Sequence, residues 1–322
     1  MKTFQQFNQY VKDHIKEYLP EEFADTDVSF KEVVKNNDTV LTGLIIADPA
    51  NPSITPTIYM EPFYADYREN YSMSNDQVDL QRIADAYNRS LIKPFGEHQI
   101  LQLLDDAEAV KSRISMKILS TERNETYLSD RPHKEVMDMS AVYSIQLSEG
   151  ASVPITNALA ERYGLSVDDL DALAKQNQKD GYSFISMDEV MAGIMREQGM
   201  EDVELPPNDA MMYVLSNESR LNGAALITNQ EILDDIAEQI GSNLVILPSS
   251  IHEVIVLPEA VLTNAPAFGD PLQNLKNMVH EVNGTKVRPE EVLSDNVYVY
   301  DAREHELMLA DDYVKEEEYV MD

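Results

Sequence analysis

With 322 residues, 43% of them hydrophobic, the chain is long enough for two domains and apolar enough to bury a core, which excludes global disorder. The absence of cysteine excludes disulfides and thiolate chemistry. A formal net charge of −33 at pH 7, weighted to the second half, argues against direct binding to nucleic-acid phosphates or anionic lipid, which both need basic side chains.

In chain order, Phe4, Phe7, Val11, Ile15 and Tyr18 recur at three or four residues and predict a helix over 4–19, stopped by Pro20. Residues 28–35 and 39–46 read as a hairpin, because Asn36-Asn37 tolerates the positive φ angles of a tight turn. A third strand is expected at 57–60. A helix over 76–91 carries Leu80, Ile83, Ala84, Tyr87 and Leu91 on one face. Further strands are expected at 113–119 and 139–147. Residues 149–206 read as helical, with Ser166 and Asp169 in capping-box positions and a helix opening at Ser186. Glu204-Leu205-Pro206-Pro207-Asn208 is punctuation.

Beyond it, 211–215, 224–227, 244–247 and 251–257 read as strands. Thr228-Asn229-Gln230-Glu231 reads as a capping box before Ile232, Leu233, Ile236, Ala237 and Ile240. Asp270-Pro271 opens a helix with Leu272, Leu275, Met278, Val279 and Val282 inward and Asn283-Gly284 at its end. A hairpin is expected over 297–300 and 306–309, followed by a frayed acidic tail. The expected fold is α+β: two mixed α/β domains with largely antiparallel sheets, 1–148 and 207–322, joined by a short helical segment, 149–206.

Two clusters are candidates for function. Ser249, Ser250, His252 and Glu253 lie at a turn between two strongly apolar runs. A nucleophilic serine needs a base within hydrogen-bond reach and a group to orient that base. Ser250 and His252, two residues apart, would share a strand face, with Glu253 on the other. No Gly-x-Ser-x-Gly elbow accompanies them. The structural alternative is a turn in which hydroxyls cap backbone groups. The second cluster, Tyr59, Glu61, Phe63, Tyr64 and Tyr67, is either an aromatic partner surface or a half-buried strand-to-helix corner.

Other chemistries lack their motifs. His252-Glu253 begins like a zinc-protease motif, but Val256 stands where the second histidine belongs. No two of the six histidines are three or four residues apart. Glycine-rich phosphate loops are absent, and Asp168-Asp169-Leu170-Asp171 does not follow the calcium-loop order. No metal and no cofactor are expected. Residues 1–8 lack the apolar run of a signal peptide, and no stretch approaches the roughly 18 apolar residues of a membrane span. The expected address is the cytoplasm.

Two blocks carry a family likeness. One is Lys31-Glu32-Val33-Val34-Lys35-Asn36-Asn37 with Leu41-Thr42-Gly43-Leu44 and Thr55-Pro56-Thr57-Ile58-Tyr59-Met60-Glu61. The other is Met212-Tyr213-Val214-Leu215-Ser216-Asn217, Asn222-Gly223-Ala224-Ala225, Leu247-Pro248-Ser249-Ser250-Ile251-His252-Glu253-Val254 and Pro289-Glu290-Glu291-Val292-Leu293-Ser294-Asp295. The chain resembles the bacterial family catalogued as domain of unknown function 5688. The resemblance implies an intracellular bacterial protein, associated with mobile elements, and supplies no catalytic residues. The expected function is a non-enzymatic accessory protein that binds another protein. The alternatives are a hydrolase using Ser250, His252 and Glu253, and an acidic mimic of DNA that occupies a basic partner.

Overall fold

Asn37 and Asp38 take φ angles of 57° and 46°, left-handed values that Asn and Asp tolerate better than most residues. They close a hairpin of β1 (Val28–Val34) and β2 (Val40–Ile46), in register from Val34 opposite Val40 to Val28 opposite Ile46. A third strand, β3 (Thr57–Tyr59), pairs with β2. The computed structural model describes residues 1–47, 56–71, 78–90, 97–148, 151–178, 181–197, 211–248, 250–263 and 270–321. The protein is α+β, with three antiparallel sheets among the described residues, and it forms two compact units, 1–35 with 39–109 and 36–38 with 110–322. This division lies ahead of the expected one at 148.

The first unit sets helices against its three-stranded sheet. Helix α1 (Phe4–His14) starts at a capping box in which Thr3 and Gln6 satisfy each other's backbone N–H. It buries Phe7 and Val11, and a single 3-10 turn carries the buried Ile15 to Tyr18. Helix α2 (Met60–Glu69) follows β3 directly. Helix α3 (Leu80–Ser90) buries Leu80, Ile83, Ala84 and Tyr87 on one face, and the Tyr87 hydroxyl donates to the Ile46 carbonyl at 2.6 Å. Leu91 lies outside the described residues. Helix α4 (Glu97–Asp105) completes this unit.

The second unit holds two sheets. One joins β4 (Ile114–Ser120) to β6 (Met139–Ser148), whose other edge takes β5 (His133–Val136) and β7 (Ala151–Pro154). Helices α5 (Asn157–Tyr163) and α6 (Val167–Gln178) follow, the latter opened by the expected Ser166–Asp169 capping box. After β8 (Tyr182–Ser186), helix α7 (Met187–Glu197) begins where the Ser186 hydroxyl accepts the Glu189 N–H at 3.2 Å. Residues 149–206 are therefore not a helical link: among the described residues they supply strands to both sheets.

The other sheet has six strands in the order β13-β12-β10-β11-β9-β8. Its remaining members are β9 (Tyr213–Asn217), β10 (Leu244–Leu247), β11 (Val254–Pro258), β12 (Tyr298–Asp301) and β13 (Glu306–Leu309). Every residue of β10 is buried. Val245, Leu247, Leu257 and Val299 pack with Val279 of α9 (Pro271–Thr285) and Tyr313 of α10 (Ala310–Met321). On the other face Tyr300 reaches Asp234 of α8 (Gln230–Ile240), which buries Ile232, Leu233, Ile236 and Ala237. The two sheets are tied by Asp138, which accepts hydrogen bonds from Tyr298 at 2.7 Å, Ser294 at 2.7 Å and Asn296 at 3.1 Å. Buried Asn124 is held to Asn37, whose amide also donates to the carbonyls of Pro289 and Val292.

Several local expectations are corrected. Residues 224–227 are not a strand; Gly223–Thr228 is a 3-10 helix, its apolar run wholly buried, and such a run has no period to distinguish the two. The expected capping box is absent: Asn229 holds the N-cap position of α8 without a side-chain bond to the helix, and the Thr228 hydroxyl donates back to Ala225. The strand expected at 251–257 begins only at Val254. Met278 is 48% exposed, and α9 runs on through Asn283-Gly284 to Thr285, with Asn283 buried and bonded to the Ser294 carbonyl. The tail is not frayed at its start: α10 buries Ala310 and Tyr313. Among the described residues no helix is long and apolar enough to cross a membrane.

Replacing Ile246, fully buried on β10 between Val256 of β11 and Tyr298 of β12, by alanine removes three carbons the core cannot refill. Ile246→Ala is expected to lower unfolding free energy by about 2–5 kcal/mol. A urea transition of unchanged slope and lower midpoint checks this.

Candidate functional site

The turn between β10 and β11 is built from backbone bonds. Ser249 lies outside the described residues. The Ser250 hydroxyl accepts the His252 N–H at 3.0 Å, and the Ser250 N–H reaches the Glu253 carbonyl at 3.2 Å. The His252 ring turns elsewhere: Nδ1 accepts the Asn222 N–H at 3.1 Å, and Nε2 lies 3.6 Å from Glu291. The His252 carbonyl accepts the Ser216 hydroxyl at 2.7 Å. Gly223 makes this approach possible, since a Cβ there would sit 2.3 Å from Ser216 Oγ and 2.6 Å from the His252 carbonyl. Ser250 and His252 share no strand face because β11 starts after both. The Ser250 hydroxyl and the His252 ring are therefore bonded to different groups: the hydroxyl closes the turn on itself, and the ring fastens it to Asn222. Glu253, half-buried, uses its carbonyl for Ser250.

The aromatic cluster lies against the core of the first unit. Tyr67 is buried, and Phe63 and Tyr64 pack on the same core. Tyr64 and Tyr67 sit over Phe7 of α1 at centroid distances of 5.4 Å each. The Tyr64 hydroxyl donates to the Lys2 carbonyl, and Tyr67 accepts the Lys2 N–H. Glu61 accepts the Thr42 N–H at 2.7 Å. Tyr59 lies under the Lys35 ammonium, 4.3 Å from its ring centre. Each member has an internal partner or packing role.

The structure brings together a third group that no motif announces. A cavity of about 900 Å³ in the second unit is lined by Lys134, Asp171, Lys175, Asn229, Tyr300 and His305, among others. Asp171 is buried on α6 between Leu170 and Ala174. Its Oδ2 accepts Lys134 at 2.8 Å and Lys175 at 3.1 Å, and Tyr143 lies 3.5 Å from Oδ1. Burial alone would raise the Asp171 carboxyl, but the hydrogen bonds and charges of Lys134 and Lys175 outweigh it and hold it below the ordinary value. The hydrogen bond to Asp171 raises Lys134 in turn. Burial, with the Asp171 charge beside it, pushes the Tyr143 hydroxyl upward. Behind two of the lining residues, Asp234 Oδ1 accepts Tyr300 at 2.6 Å and lies 2.7 Å from His305 Nδ1. Burial opposes ionisation of Asp234, yet these two bonds keep its carboxyl low. Burial and the Asp234 bond raise Tyr300.

These shifts decide what the cavity can do. A general acid or base works best with a pKa near the working pH. Here the Asp171 and Asp234 carboxyls are pushed down and Lys134, Tyr143 and Tyr300 up, which moves these five away from that range. The arrangement is an electrostatic latch, with its reactive atoms spent on one another. Among the described residues no three His, Asp or Glu side chains group as a metal ion would require. The sequence signal for this cluster was a carboxylate, Asp171, on the apolar stripe of a helix with Lys175 one turn on.

Asp171→Asn keeps the shape and removes the charge. A carboxyl held low contributes stability that is complete above the unfolded value near 4 and is lost as pH falls through the folded value. The variant is expected to be less stable than wild type by about 1–3 kcal/mol at pH 7, with the gap closing in acid. Denaturation midpoints of both proteins across pH check this, and an equal gap at neutral and acid pH would contradict the ionic latch.

No curated protein and no solved structure matches the chain. A family profile described as a family of unknown function (DUF5688) matches residues 4–302. That span covers most of both compact units, leaving out Lys2, His305, β13 and α10, and the chain belongs to the DUF5688 family.

Proposed function

We propose that this chain is a non-enzymatic interaction protein whose acidic surface engages a basic protein partner. The observation that carries the reading is the fate of the reactive side chains. The Ser250 hydroxyl takes the His252 backbone N–H and the His252 ring takes the Asn222 N–H, so the two side chains do not bond to each other, and Lys134, Lys175 and Tyr143 all turn to Asp171. A hydrolase needs a free nucleophile beside its base. A net charge of −33 gives the surface a long-range pull on cations and a repulsion for phosphates. We assign it to the cytoplasm on its cysteine-free composition, and to mobile-element biology on the likeness of its sequence blocks.

The test is capture from native-host lysate at low and high salt, with nuclease present, read by mass spectrometry. A stoichiometric basic protein that leaves at high salt is the expected result. A bare bait at low salt, together with ester or amide hydrolysis that Ser250→Ala abolishes, would reverse the assignment to the hydrolase. In the interaction reading, Ser250→Ala and His252→Ala keep the partner and lose only stability, about 1 kcal/mol each.

A further inference from the structure

The cavities of the second unit differ in charge. The one beside Asp171 has two lysines in its lining, and another holds Asp234, Glu238, Glu259 and Arg303. A further cavity, of about 510 Å³, has no charged residue in its lining among the described residues, although 26% of the chain is Asp, Glu, Lys or Arg. It lies between β4, the end of β6, the last turn of α6 and the segment from Asn217 to Leu226. Ile114, Met116 and Leu226 give it apolar surface, and Gln146, Asn177, Gln178, Asn217 and Asn222 give it carboxamides.

Asn217 spends both ends of its amide on its own turn, at the carbonyl and N–H of Leu221. The other four keep unused capacity among the described residues. Asn177 Nδ2 donates to the Lys111 and Ile114 carbonyls at 3.0 and 2.8 Å, and Gln146 Nε2 donates to the Ser148 carbonyl at 2.6 Å. These bonds fix which end of each amide is nitrogen and leave the oxygens as acceptors. Asn222 is held through its backbone N–H by His252, and its side chain bonds to no described residue. Gln178 Oε1 is buried with no donor at all. An acceptor left unpaired in this way costs stability, and turning the amide to a ligand hydroxyl removes that cost.

This lining selects a class of ligand. Its volume is that of a small-molecule site. An ion enclosed there would lose its hydration and meet no counter-charge, so the ligand is uncharged. Acceptors outnumber free donors, so it brings hydroxyls or N–H groups. No ring lines the cavity among the described residues, and a nucleobase would have nothing to stack on. We infer that the cavity binds an uncharged sugar, a mono- or disaccharide, whose hydroxyls donate to the Gln146, Asn177 and Gln178 oxygens while its C–H face packs on Met116 and Leu226. This goes beyond the interaction reading and does not depend on it.

The experiment titrates the full chain by calorimetry with glucose, galactose, N-acetylglucosamine, maltose and lactose, and with glucuronate, glucosamine and adenine as counter-probes. At least one neutral sugar is expected to bind saturably, with a Kd at or below about 1 mM. It is expected to shift the Met116 methyl resonance and leave that of Met60, buried in the first unit, unmoved. The charged analogues are expected to bind at least about tenfold more weakly. Gln178→Met, close in volume and without an amide, is expected to weaken the sugar at least about tenfold while the unliganded unfolding midpoint stays at or above that of wild type, because the oxygen removed has no bond to lose. A purely structural glutamine would show the reverse: a lower midpoint and unchanged affinity. Ser219→Trp puts an indole at an exposed position of the lining and is expected to block binding, which decides the matter should Gln178→Met not fold. No saturable binding by any of the five sugars, adenine binding in their place, tighter binding of a charged analogue, or unchanged affinity in either folded variant would overturn the proposal.

Discussion

Four consecutive aliphatic residues, Leu244–Leu247, impose the architecture of the second unit. A strand buried on both faces needs neighbours at both edges and cover above and below. Edges come from β11 and β12, which pair with it antiparallel. Cover on one side comes from α9 and α10, and on the other from α8. Each aliphatic side chain so buried contributes about 1.5–3 kcal/mol. The polar groups that must sit near this apolar layer then need partners of their own, and the hydrogen bonds of Asp138, Asp234 and the Ser250 turn supply them.

Much of the fold was legible because local rules and tertiary needs agreed. Asn36-Asn37 between two apolar runs marked a hairpin, although its left-handed pair is Asn37-Asp38, Ser166 with Asp169 marked a helix start, and Asp270-Pro271 marked another. The readings failed where burial removed the pattern. Gly223–Thr228 is apolar throughout, so neither a period of two nor one of 3.6 stands out. The strands β5 and β8 escaped notice because their polar and half-buried residues follow no alternation, and pairing with β6 and β9 holds them. The acidic tail read as solvent-facing, yet Tyr313 anchors it, bonded to Asn243 and Glu259.

The candidate site was legible only as a list of residue types. Ser250, His252 and Glu253 are close in sequence, and proximity in sequence does not fix which way a ring turns; Asn222, thirty residues earlier, captured the imidazole. The latch around Asp171 joins Lys134 from a strand to Lys175 on the same helix turn, and only the second of these has a sequence spacing to betray it. Tyr300 and His305 reach Asp234 across more than sixty residues. Long-range partners of this kind are chosen by the sheet order, which no local motif encodes.

That sheet order has a consequence during synthesis. The strands emerge as β8, β9, β10, β11, and only then β12 and β13, but β12 belongs beside β10 in the finished sheet. Until Tyr298–Asp301 leaves the ribosome, Leu244–Leu247 has one unpaired edge, and Asp138 waits without its three donors. An open apolar edge is a template for wrong pairing. The last strands of the unit thus act as its closing seal, and the nascent chain passes through a stretch of translation in which a wholly aliphatic strand is half covered.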